Sequence, residues 1–267
     1  MMYSYITLDL GLRRLSKMFS HLILVIERDL RLLIQYKLFL VIRWLWYFLQ
    51  VTIFGLAISY LVIVEDYLFY YAAGIYVATL YSTAMFVAFD ISEEAEHGFV
   101  DYLLSLPINR RVLIIGRAIG GGLRSLIATL PPLIFTLYII GVRDIPVFIE
   151  ASIGLLLLSF GVAGLGISIV SFLKSGDKTD ILLGAIDAFI IRLSTVFYPK
   201  AFMPPYYSAP AAINPLTHAA ELFRWGLGIQ TEADPTYSLV VLIAFMIAMT
   251  TTGIYLYERR MEGGGWT

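Results

Sequence analysis

Cysteine is absent from the chain, which removes disulfides, thiolate metal sites and cysteine nucleophiles and leaves no redox clue to the compartment. Charge is scarce as well: 15% of residues are charged against 59% hydrophobic, with a net charge of -1 and a mean hydropathy of +0.81. Soluble domains do not have that balance, and the apolar residues fall into blocks of about 20, the length that crosses a bilayer as a helix. The sequence is therefore that of an all-α integral membrane protein. No Gly-x-x-x-x-Gly-Lys-Ser/Thr run occurs, so the chain has no P-loop of its own for ATP. His21, His97 and His218 are far apart on different predicted faces, which argues against a shared metal site. No aspartate cluster at helical spacing lies at the mouth of a span, as magnesium-dependent membrane transferases require. Catalytic, cofactor-binding and metal-binding residues are not expected, the chain is not read as an enzyme, and no nucleic-acid partner is expected.

Hydropathy and charge predict six spans, near 40–64, 67–89, 118–142, 147–173, 180–199 and 236–257, in a single membrane domain covering 1–267. Residues 38–267 form the six-span core. Residues 1–37 are expected to be an N-terminal helix lying in the membrane interface, with Leu15, Met18, Leu22, Ile26, Leu30 and Leu33 on its apolar stripe. The alternative is a helix packed on its own protein. The stretch from Met18 to Ile26 lacks a small-residue cleavage site, so the segment is expected to be retained. With both termini in the cytoplasm, most Lys and Arg fall on or near the inner side and only Arg143, Lys200 and Arg224 outside. That is the positive-inside pattern of a multi-pass protein of the cell (plasma or inner) membrane. Tyr67, Phe69, Tyr70 and Tyr71 suit the outer interface as an aromatic anchor.

Glycines at 116, 120, 121, 122, 154, 161, 164 and 166 allow helices to approach closely. Between the fifth and sixth spans, residues 199–235 hold six of the ten prolines, so no continuous helix crosses there. The pieces are apolar, and re-entrant outer helices carrying Pro205, Asn214, Pro215, Glu221 and Arg224 are expected. Asn214 as N-cap, Pro215 at the first helical position and Gly228 near the stop mark one of them. Asp187 and Arg192 are the charges inside the fifth span; five residues apart, they occupy different faces and seek partners elsewhere, in a pathway, a subunit interface or a structural pair. Arg110, Arg117 and Arg124 share a helix face at heptad spacing, where contact with lipid head groups is the expected role.

The segment from Asp90 to Arg111 interrupts two membrane-length runs with charge. Asp90 or Ser92 is expected to cap a new helix, with Glu93, Glu94 and Glu96 in its first turn. Phe99, Val100, Leu103, Leu104 and Leu106 form a ridge, and Pro107 ends it. The run Glu94-x-Glu96-x-Gly98 followed by Asp101-Tyr-Leu-Leu-Ser-Leu-Pro-Ile-Asn-Arg-Arg-Val-Leu-Ile-Ile-Gly-Arg117 resembles the coupling-helix region of ABC-2 type transporter permeases. Asn214-Pro-Leu-Thr-His-Ala-Ala-Glu-Leu-Phe-Arg224 is similar to the segment that precedes the last span in that family. His97 and Phe99 depart from the pattern, since a small polar residue often follows the glycine.

The resemblance implies a half-size permease that pairs with a second permease, identical or a close paralogue, and with two cytoplasmic ABC ATPase subunits, which would carry the ATP and Mg. Glu93, Glu94, Glu96, Gly98, Phe99, Leu103, Leu104, Pro107, Arg110 and Arg111 would then form the ATPase coupling region, with Lys174–Lys178 as a smaller second contact. Export of an amphipathic, drug-like or lipid-linked substrate is the function so implied. Trp44, Trp46, Tyr76 and Tyr81 suit the alternative, a polysaccharide or glycolipid exporter with stacking rings. An ion-coupled secondary transporter would need inverted repeats and paired midplane acids. A subunit that anchors or signals to a soluble partner would need the coupling segment without a pathway.

Overall fold

The apolar runs fold as helices, and the polar residues that bound them act as caps. A computed structural model describes residues 2–62, 66–105, 109–173 and 176–262, and every regular element among these is helical. In chain order they are α1 (Met2–Gln35), α2 (Lys37–Leu49), a π-helical segment (Gln50–Gly55), α3 (Leu56–Ser59), α4 (Tyr67–Glu96), α5 (Phe99–Ser105), α6 (Arg110–Ala128), α7 (Leu130–Ile140), α8 (Ile145–Phe172), α9 (Gly176–Arg192), a 3-10 turn (Lys200–Phe202), α10 (Pro205–Ile213), α11 (Pro215–Gly226) and α12 (Pro235–Glu262). Side-chain oxygens of Asn109, Asp144, Asn214 and Asp234 accept from the first backbone N–H groups of α6, α8, α11 and α12, satisfying donors that a helix start leaves free.

Among the described residues, four helical stretches are long and apolar enough to cross a membrane: Lys37–Ser59, Tyr67–Glu96, Ile145–Phe172 and Pro235–Met261. A fifth is α6 and α7 taken together, bent by 46°. Pro131 and Pro132 lie just after the bend and have no N–H to give. The Ala128 carbonyl that Pro132 would have served accepts instead from Trp44 Nε1 at 2.7 Å. The span expected at 180–199 is instead the 17-residue α9, which ends at Arg192. At 1.5 Å per residue it reaches about 26 Å, short of the roughly 30 Å hydrocarbon core.

Three other expectations are corrected. Asp90 and Ser92 cap nothing: α4 runs unbroken from Tyr67 to Glu96 and stops only where Gly98 takes φ +69°. The acidic residues therefore end a span rather than start a helix. Tyr67, Tyr70 and Tyr71 are buried rather than set at an interface. Among the described side chains of α1, Val25 and Asp29 are buried, Leu22, Ile26, Leu30 and Leu33 of the expected apolar stripe are half-buried, and Met18 is exposed. A Cβ on Gly116 would meet Val25, and one on Gly120 would meet Asp29. Helix α1 thus docks on α6, the alternative of packing on its own protein.

The core is built on α4 and α8, with α8 packed most extensively on α12. Gly164 and Gly253 face one another: a Cβ on Gly164 would lie 2.7 Å from the Thr250 nitrogen, and one on Gly253 2.8 Å from the Gly164 oxygen. Ser168 Oγ lies 3.3 Å from the Met249 carbonyl beside this crossing. Small residues set backbone approach here, as the sequence pattern led us to expect.

Candidate functional site

Three polar constellations interrupt the apolar bundle. The first lies at the Glu96 end of α4, where the helix dipole disfavours acids. Compensation comes from α6 and α1: Arg124 pairs with Asp90, and Glu94 is shared between Arg117 and Arg28. Arg117, 2% exposed, and Arg124 are buried. They do not reach lipid head groups, because the acids of α4 stand beside them; Arg110, one more heptad away, is exposed. Burial pushes the neighbouring Asp29 carboxyl above its ordinary value, against the opposing pull of Arg117 and then Arg28. Helix α5 follows directly. Its Val100 and Leu103 are buried while Phe99 and Tyr102 are 43% and 55% exposed, their rings 5.6 Å apart, and the Arg28 guanidinium lies 5.9 Å from the Phe99 ring. The helix is seated on the bundle and turns an aromatic pair outward.

The second constellation is a recess between α2, α4 and α9, a cavity of 460 Å³ lined by Arg43, Trp46, Gln50, Thr79, Ser82 and Asp187 among others. Gln50 opens the π-helical segment, a distortion that often marks functional sites. Ser82 Oγ stands 3.0 and 3.2 Å from the two Asp187 oxygens. Arg43 crosses the Phe86 ring at 4.8 Å and donates to the Thr79 carbonyl at 3.4 Å, leaving its Nε buried without a hydrogen-bond partner. Arg192 is exposed at the end of α9, on another face.

The third lies at the Tyr67 end. Arg224, wholly buried, donates to Glu221 at 2.7 Å, to the Thr195 and Val196 carbonyls at 2.8 and 3.2 Å, and to the Tyr70 carbonyl, with its guanidinium 3.5 Å from the Tyr70 ring centroid. The far oxygen of Glu221 accepts the Glu232 N–H. Tyr70 and Tyr67 hydroxyls donate to the carbonyls of Thr195 and Phe197. The Nε and Nη2 donors of Arg224 hold backbone carbonyls and its Nη1 holds Glu221, so this cluster is a lock rather than a ligand site. Asn214 caps α11 through its Oδ1 and ends α9 through its Nδ2, which donates to the Ile190 and Leu193 carbonyls at 2.7 and 2.9 Å. Asn214→Asp keeps the cap and loses both donors. We expect it to cost about 1–3 kcal/mol, read as a lower melting temperature of the detergent-purified protein, whereas an unchanged melting temperature would show that the amide carries no such load. His218 donates from Nε2 to the Ala212 carbonyl and accepts at Nδ1 from Ser238, and burial holds its imidazole below the ordinary range.

The expected coupling residues therefore separate. Glu93, Glu96, Gly98, Phe99, Arg110 and Arg111 are exposed, Glu94 is engaged in ion pairs and Leu103 is buried. Pro107 and the Leu104 side chain lie outside the described residues, as do Lys174, Ser175 and the side chains of 176–178. Of the residues expected in the re-entrant segment, Glu221 and Arg224 pair with each other, Asn214 caps α11, which Pro215 begins, and Pro205 begins the separate α10. Sequence reasoning missed Arg43, counted only as an inner-side cation, although a lone arginine inside an apolar run is itself a signal. It also missed Asp29, an isolated carboxylate beside Arg28 and Arg31.

Residues 20–228 match the family model described as ABC-2 type transporter. The inner membrane transport permease YadH of Escherichia coli strain K12 is 26% identical over 151 residues, 56% of this chain and 58% of that protein. The Shigella flexneri protein of the same name matches to the same extent. The chain spans little more than half the length of the curated relatives it matches.

Proposed function

We propose that this chain, which belongs to the ABC-2 type transporter family, is the permease subunit of an ATP-binding cassette exporter, driven by a separate ATPase and moving an amphipathic, drug-like or lipid-linked substrate. The observation that carries this reading is α5. Its inner face is fixed by Val100 and Leu103 and its outer face offers Phe99 and Tyr102, an aromatic pair of the kind that anchors a protein interface. The ion pairs beside it tie α1, α4 and α6 together, so a force applied at α5 acts on three helices at once. Two ATPase subunits, which hold the ATP and Mg, and a second permease complete the assembly, embedded in the lipids of the inner membrane with both termini cytoplasmic.

The substrate path runs along the recess between α2, α4 and α9, with Asp187 on its wall; Arg192 is exposed on another face of α9. The compact outer segment around Arg224 favours a drug or lipid substrate. The polysaccharide alternative rests on Trp44, Trp46, Tyr76 and Tyr81; of these four, Tyr76 and Tyr81 are fully buried in the core, Trp44 donates to the Ala128 carbonyl, and Trp46 lines the recess.

The test is co-expression with the ABC ATPase subunits of the same genome. Phe99→Ala with Tyr102→Ala, both surface changes, is expected to lower permease-stimulated ATP hydrolysis about tenfold or more while the variant elutes as the wild type does. Failure to co-purify with any ATPase, or stimulation unchanged by the double variant, would sink the reading.

A further inference from the structure

We propose that the recess between α2, α4 and α9 binds an amphiphile with a zwitterionic head, the cationic group meeting Asp187 and the anionic group meeting Arg43. As the named substrate class of the proposed pathway, it rests on the permease reading. Arg43 and Asp187 line the same 460 Å³ cavity, a volume suited to a small ligand. They act on one another electrostatically, yet the bonds they make are to Thr79 and to Ser82. A guanidinium Nε buried without an acceptor is costly in apolar surroundings, and an anionic ligand group supplies that acceptor. A ligand with one charge would meet its counter-charge and leave the other unpaired, whereas a dipolar head satisfies both.

The remaining wall suits a hydrocarbon chain. Phe39, Ile42, Ile75 and Phe197 line the recess. Arg43 and Phe39 also border a second cavity of 220 Å³ against Leu33, Phe86 and Phe89. A head at Arg43 therefore has apolar surface on both sides for its tail.

Trp46 lines the recess, so its fluorescence reads occupancy in the purified full chain without any ATPase. The probes share a decyl chain and carry a phosphocholine, trimethylammonium, phosphate or glucoside head, and free glycerophosphocholine tests the head without a chain. Decylphosphocholine is expected to bind at least about tenfold more tightly than every other probe, the chainless head included. Arg43→Gln should erase its advantage over the trimethylammonium probe and Asp187→Asn its advantage over the phosphate probe. Ser82→Ala keeps both charges and should weaken binding by about threefold.

Equal binding of the four heads overturns the inference, as does equal binding of the chainless head or quenching that persists in Trp46→Phe. If a charge variant does not fold, the head-group series on the unaltered protein decides alone. Binding with the expected preference but no ATPase partner overturns only the permease reading. Coupling to an ATPase without a head-group preference overturns only the ligand assignment.

Discussion

Arg224→Met is expected to leave no stably folded protein. The substitution buries Glu221 without its counter-charge and frees the carbonyls of Tyr70, Thr195 and Val196 in an apolar interior. Breaking one partner of a buried ion pair costs about 3–5 kcal/mol, a large part of the roughly 5–15 kcal/mol that stabilises a domain. Arg224→Lys keeps the charge but cannot fork to the same acceptors, so it should recover little. Arg224→Met with Glu221→Met removes the orphaned charge and should recover more. Size-exclusion elution and melting in detergent read all three. An Arg224→Met single variant that melts within a few degrees of the wild type would refute the lock.

Gly164→Leu is expected to part α8 from α12. Even the first side-chain carbon would lie 2.7 and 2.8 Å from the Thr250 nitrogen and Cα, and those atoms are backbone of a helix that has no slack to yield. Overpacking of this kind costs about 1–3 kcal/mol, and a full leucine lies at or beyond the upper end. Gly184→Ala is the matched control: nothing lies within 4 Å of its Cβ position, and the gain in helix propensity is up to about 1 kcal/mol. If the two variants melt alike, close approach at Gly164 does not hold the pair together.

What the sequence made legible is local. Asn214, Pro215 and Gly228 announced α11 correctly because caps, first-turn prolines and positive-φ glycines act within a few residues of themselves. The heptad of Arg110, Arg117 and Arg124 correctly placed three cations on one face. Their partners were illegible, since Asp90 and Glu94 reach them only when α4 and α6 pack together. The run from Asp90 to Glu96 misled for a related reason. Acids and serine are start signals in isolation, and the continuing α4 overrode them, leaving Gly98 as the true stop. By sequence Tyr67 and Tyr70 suit an interface, because their rings are amphipathic. In the fold, their hydroxyls find carbonyls of the chain itself.

Helix α4 has a mechanical meaning of its own. It is one unbroken rod of 30 residues, about 45 Å long. One end carries Glu94 and passes through Gly98 into α5; the other carries Tyr70, whose carbonyl Arg224 holds. A tilt of about 5° about either end displaces the other by about 4 Å, with no joint between them to absorb it. Movement at the α5 end is thus carried undamped to the buried arginine at the opposite face of the bundle.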